Sequence, residues 1–227
     1  MDEPVGQDIT LTASDGFKLG AYRTQPEGKP KGAVVVIQEI FGVNSHIRTV
    51  CDRFAVQGYV AIAPSIFDRI EPNFQSGYSP EEVATARKFV ANPDWEAFLR
   101  DTQAAIDAVK DAGAVGIIGF CLGGSVAYAA ATKLDGLSAA IGYYGGAVVR
   151  FADDKPKVPT QLHFGEKDHG IPLSDVETIK AKRPDVEVFV YDGAEHGFNC
   201  DQRASYNKAS ADQARERSLA FLAKHLK

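Results

Sequence analysis

The stretch AVVVIQ (Ala33 to Gln38) is a continuous apolar run of strand length. A strand that is apolar on both faces, without alternation, must be covered on both faces, the pattern of a central parallel strand. YVAIAP, GIIGF, AAIGYY, TQLHFG and VEVFVY read as further strands, with helical patterns between several of them. Strands that alternate with helices need crossover connections above and below one sheet, so the chain is predicted to be α/β. The 227 residues suit a single domain over 1–227.

The chain opens differently. DITLTA (Asp8 to Ala13) and FKLGAYR (Phe17 to Arg23) alternate and flank Ser14-Asp15-Gly16, which predicts an antiparallel hairpin. HIRTVCDRFAVQG has helical apolar spacing at Ile47, Val50, Cys51 and Phe54. SPEEVATARKFV follows an irregular stretch and carries Ser79 as a cap with Pro80 in the first turn. A long helix is expected on WEAFLRDTQAAIDAVKDAG and a last one over 209–225.

A net charge of −5 with no basic run leaves no footprint for nucleic acid or an anionic membrane, so a small-molecule partner is expected. The acidic start MDEPVGQDIT has no leader pattern and no run reaches membrane-span length, which predicts a cytoplasmic protein. Three cysteines without a CxxC pair argue against a disulfide framework and leave free thiols to explain. Cys51 falls on a helical apolar face and reads as core.

Cys121 sits in GFCLGG, between a predicted strand and an alanine-rich helix. This is the nucleophile-elbow pattern G-x-S-x-G with sulfur in place of oxygen. A nucleophile on so sharp a turn is strained, and small residues two before and two after let strand and helix approach. Gly119 and Gly123 supply them. The helix that follows aims its N-terminal dipole and free N–H groups at the thiol. A cysteine can also be plain core, so the motif needs a base and an acid in the right chain order. HFGEKDHGIP offers Asp168, favoured over Glu166 because it follows the turn and precedes the Ile-Pro step. VFVYDGAEHGFN places His196 in a glycine-rich loop after the last strand. His163 lies inside a strand and reads as a satisfied core residue, His46 opens a helix, His169 shares the acid's loop, and His225 is near the chain end. A metal reading of His196 with Cys200 lacks further spaced ligands, and no cofactor or metal is expected.

QEIFGVNSHIRTVCDRFAVQGYVAIAP, GFCLGG, FGEKDHGIP and GAEHGFN together, in this order, resemble the dienelactone hydrolase family, also called carboxymethylenebutenolidases. The resemblance covers nearly the whole chain. It implies an α/β-hydrolase fold: a mostly parallel sheet with an antiparallel N-terminal hairpin and helices on both faces. It implies Cys121 as nucleophile, Asp168 as acid and His196 as base. It also gives Glu39, otherwise an oddity directly after a buried strand, a place against the resting thiol, and makes the backbone N–H groups of Ile40 and Leu122 the oxyanion hole. The activity implied is opening of an enol-lactone such as a dienelactone. A broader esterase on the same scaffold and a thiol-sensing module without turnover are the alternatives, in a monomer or small homo-oligomer.

The family grips a substrate carboxylate with arginines, one of them a few residues after the catalytic histidine. Here the fourth residue after His196 is Cys200, and Arg203 comes three later. Arg203, Arg69 and Arg87 are therefore the candidate clamps, and Tyr143 and Tyr144 are candidates to line the pocket. Ser65 stands where family members often carry Asp.

Overall fold

The computed structural model describes residues 6–227. Met1 to Val5, the start of the stretch read as leaderless, lie outside them. Among the described residues eight strands form one sheet: β1 (Gln7–Thr12), β2 (Lys18–Thr24), β3 (Ala33–Ile37), β4 (Val60–Pro64), β5 (Val115–Phe120), β6 (Leu137–Tyr143), β7 (Thr160–Gly165) and β8 (Glu187–Tyr191). Their spatial order is β1-β2-β4-β3-β5-β6-β7-β8. β1 pairs antiparallel with β2, and β2 with β4. Every other pairing is parallel, as the hairpin and the buried runs predict.

β3 is wholly buried because its two faces enter two different cores. Val34 and Val36 pack with Ile47, Val50 and Phe54 of α1 (Ser45–Val56) and with Phe221 and Leu222 of α7 (Lys208–His225). Ala33, Val35 and Ile37 pack with Phe98 and Ile106 of α3 (Trp95–Val109) and Val126 of α4 (Leu122–Lys133). Each buried Val or Ile contributes about 1.5–3 kcal/mol. The doubly apolar strand is thus what fixes helices to both faces.

The helix starts follow from local chemistry. Asn44 Oδ1 accepts from the Ile47 N–H at the head of α1, and Asp94 Oδ1 from the Ala97 N–H at the head of α3. At α2 (Pro80–Lys88) Ser79 and Glu82 close a reciprocal capping box. Two helices have no counterpart in the sequence reading, α5 (Val148–Phe151) and α6 (Leu173–Lys182). α5 is a single turn, and α6 buries only Val176 and Ile179 and starts on Pro172 without a side-chain cap. Neither leaves a periodic signal. No described helix is long and apolar enough to cross a membrane.

From β3 the chain crosses to β4 on one side, then returns past β3 to β5 on the other. Such a reversal opens a crevice at the C-terminal ends of the two strands. Glu39 follows β3 there, and Cys121 follows β5.

Candidate active site

Cys121 has φ 57° and ψ −117°, a conformation that L-residues rarely adopt. It persists because its surroundings admit nothing else. A Cβ on Gly119 would overlap the Gly123 carbonyl, and one on Gly123 would overlap the carbonyl of Ile37. The Cys121 N–H is held by the Tyr143 carbonyl at 3.0 Å. The thiol is thereby held just past the C-terminal end of β5, at the head of α4. Leu122 is the first residue of α4, so its N–H has no partner within the helix.

Two later strands deliver the partners. Asp168, in the turn after β7, is buried at 3% exposure, and its Oδ1 accepts from the Gly170 N–H at 2.9 Å. Its Oδ2 lies 2.7 Å from His196 Nδ1, and His196 Nε2 lies 3.2 Å from Cys121 Sγ. Thiol, imidazole and carboxylate form one chain of contacts. Glu166, the competing acid, is exposed and accepts from the Gly193 N–H instead. Burial disfavours the charged imidazolium of His196, but negative charge on Cys121 and the bond to Asp168 outweigh it and push the pKa up to about 10. An imidazolium held beside sulfur stabilises thiolate, the nucleophilic form.

Glu39 is 1% exposed, and its Oε1 accepts from Arg203 Nη1 at 3.0 Å. The sequence reading set Glu39 against the thiol. In this structure the thiol faces His196, and the carboxylate faces Arg203. Arg203 reaches the site without the expected spacing because the chain turns after His196: Cys200 N–H bonds to the Gly197 carbonyl and Arg203 N–H to the Cys200 carbonyl. The guanidinium then lies against Gly197, at φ +78°, where a Cβ would collide with it.

The other candidates divide. Tyr144 is fully buried, with φ +37°, its ring centroid 5.1 Å from that of His196 and its phenol oxygen without a hydrogen-bond partner. Tyr143 is buried, and its phenol bonds Ser218 on α7 at 2.8 Å. Arg69 is engaged elsewhere. All three guanidinium nitrogens are taken up by Asp15 and by buried Asp101. Arg87 is exposed on the last turn of α2 and joins no contact of the cluster.

Two residues near Glu39 and Cys200 carry no site signal in the sequence. His46 is fully buried, and Tyr78 accepts from the Cys200 thiol at 3.3 Å and from Asn44 Nδ2 at 3.1 Å. Seven residues after Glu39, His46 reads only as a helix opening. Nothing in a linear pattern reports that the crevice closes over it.

Comparison with known proteins agrees with this geometry. The model of the dienelactone hydrolase family matches residues 19–226. A Synechocystis sp. protein assigned as a carboxymethylenebutenolidase is 39% identical, over 91% of this chain and 92% of its own. The carboxymethylenebutenolidase of Pseudomonas putida is 32% identical over 96% of each chain. A crystal structure from Klebsiella pneumoniae, assigned as a dienelactone hydrolase, superposes with a TM-score of 0.85 at 31% identity, covering 97% of this chain and 99% of that one. With a cysteine elbow, an imidazole against the thiol and a buried aspartate behind it, on a fold that superposes on the Klebsiella structure, the chain belongs to the dienelactone hydrolase family of α/β-hydrolases and hydrolyses carboxylic ester bonds.

Proposed function

We propose that the chain opens an enol-lactone of the dienelactone class through an acyl-enzyme on Cys121. The observation that carries this reading is the 3.2 Å contact between Cys121 Sγ and His196 Nε2, backed by the 2.7 Å contact of His196 with Asp168. The Cys121 thiolate attacks the lactone carbonyl, and the N–H groups of Leu122 and Ile40 take the charge of the tetrahedral oxygen. The carbon–oxygen bond of the ring then breaks and the ring oxygen leaves as an enolate. An enolate needs little protonation, which suits a thiol whose own leaving ability would otherwise return the intermediate to substrate.

Acylation consumes the charge on sulfur that leads the upward shift of His196. The imidazolium then passes its proton to the enolate oxygen, and the neutral imidazole takes a proton from a water whose oxygen attacks the thioester, releasing the acid and restoring the thiolate. Arg203 is the carboxylate clamp in this reading. A substrate carboxylate competes with Glu39 for its guanidinium and frees Glu39 to turn toward the thiol.

The test is kcat/KM for a dienelactone against p-nitrophenyl acetate, with the wild type and Cys121→Ala compared. A strong preference for the dienelactone that is lost with the thiol is expected. Turnover of the activated ester alone, still through Cys121, points to a broader esterase and removes the enol-lactone assignment.

A further inference from the structure

Three side chains from separate segments converge: Glu39 after β3, His46 in the first turn of α1, and Cys200 four residues beyond His196. One carboxylate oxygen, one ring nitrogen and one sulfur, drawn from the three, all lie within 4.8 Å of one another. The residues are 1%, 0% and 0% exposed. Glu39 Oε2 and both ring nitrogens of His46 have no hydrogen-bond partner. Buried polar atoms left unpaired cost about 1–3 kcal/mol each. A neutral imidazole offers one lone pair, so Glu39 Oε2 and one His46 ring nitrogen beside the buried Cys200 thiol form a donor set with unused lone pairs, and the hydrolysis proposed above uses neither His46 nor Cys200.

We propose that Glu39, His46 and Cys200 bind a divalent transition-metal ion of the zinc class. Thiolate, imidazole and carboxylate together suit such an ion and exclude magnesium and calcium, which take oxygen ligands. Bonds of about 2.0–2.3 Å place tetrahedral ligands about 3.3–3.8 Å apart, inside the 4.8 Å within which the three donor atoms already gather. Asp201 Oδ1 stands 3.5 Å from His46 Nδ1, where a carboxylate orients a ligating imidazole and leaves Nε2 to the metal. On binding, the Cys200 S–H bond breaks, a sulfur–metal bond forms, and the proton leaves to solvent. The carboxylate and thiolate then balance the ion, while Arg203 continues to hold Glu39 Oε1 and the Tyr78 hydroxyl turns its hydrogen toward the new thiolate.

Cobalt(II) is the probe, titrated into the Cys121→Ala protein so that the catalytic thiol cannot contribute. One saturable equivalent is expected, with a thiolate-to-cobalt charge-transfer band and the visible bands of a tetrahedral site. Adding Cys200→Ser should abolish the charge-transfer band, and adding His46→Gln should weaken binding at least about tenfold. Absence of saturable binding, or a band that survives Cys200→Ser, overturns the proposal. Where Cys200→Ser does not fold by circular dichroism, unchanged affinity in the His46→Gln protein overturns it instead. The assay involves no turnover, so its failure leaves the enol-lactone reading standing, and an inactive wild type leaves the metal site standing.

Discussion

His163 and His196 lie on or just beyond neighbouring strands, and their surroundings drive them in opposite directions. His163 sits within β7, between the Tyr191 hydroxyl at 2.8 Å and Gln161 Oε1 at 2.9 Å, both neutral groups. Burial dominates there and pushes its pKa down to about 3. His196 stands at the sheet edge between a thiol and a carboxylate, and its pKa rises to about 10. The difference teaches that burial alone does not make a histidine inert. What decides is whether the partners in contact carry charge, as the sulfur and the carboxylate around His196 do.

The sharpest break of that comparison removes the charge on sulfur. Cys121→Ala should lower kcat on an activated ester by about 10⁴-fold or more, with the circular dichroism spectrum unchanged. Next, Asp168→Asn should cost about 10³- to 10⁴-fold in kcat/KM. NMR titration of His196 should then show its pKa falling toward the ordinary imidazole range, whereas His163 stays unprotonated. Arg203→Gln should raise KM for a carboxylate-bearing lactone by about 10- to 100-fold, the worth of one charged hydrogen bond. It should leave p-nitrophenyl acetate nearly unaffected, and steady-state kinetics on both esters separates the two.

The smallest effect is on stability. Between about pH 6.5 and 3 the unfolded chain protonates His163 and the folded chain does not, so stability falls as pH falls, by up to about 1.4 kcal/mol per unit from this group. His196 has the opposite sign. Its raised pKa favours the fold fully below about pH 6.5, and that contribution is lost as pH climbs through about 10. His163→Gln should therefore cost about 1–3 kcal/mol near neutrality through its lost hydrogen bonds. That deficit should narrow toward pH 4.5 in urea unfolding curves.

The parts of this protein that a linear reading reaches are those that repeat a local rule. AVVVI is buried on both faces as written, Ser79 and Pro80 open α2, and the glycines around Cys121 announce an elbow whose strain the backbone shows. Chain order then leads to Asp168 and His196, which the fold brings into contact with each other and with Cys121. Pairings set by long-range closure are what it misses. Glu39 and Arg203 meet across 164 residues, and the turn between His196 and Arg203 defeats a spacing rule. Arg69 looks free until Asp15 and Asp101, from a hairpin turn and a distant helix, fold onto it. His46 looks like any residue in a first helical turn until the crevice buries it.

The most direct test of the charged-partner assignment is to mix the protein with a slowly hydrolysed activated ester, quench within the first turnover, and locate the adduct by peptide mass spectrometry. An acyl group on the peptide holding Cys121, accumulating further in His196→Ala because its release is slowed, is the expected result. No adduct, or an adduct on Cys51 or Cys200 with Cys121 unmodified, would contradict the assignment of Cys121, His196 and Asp168 as the hydrolytic machinery.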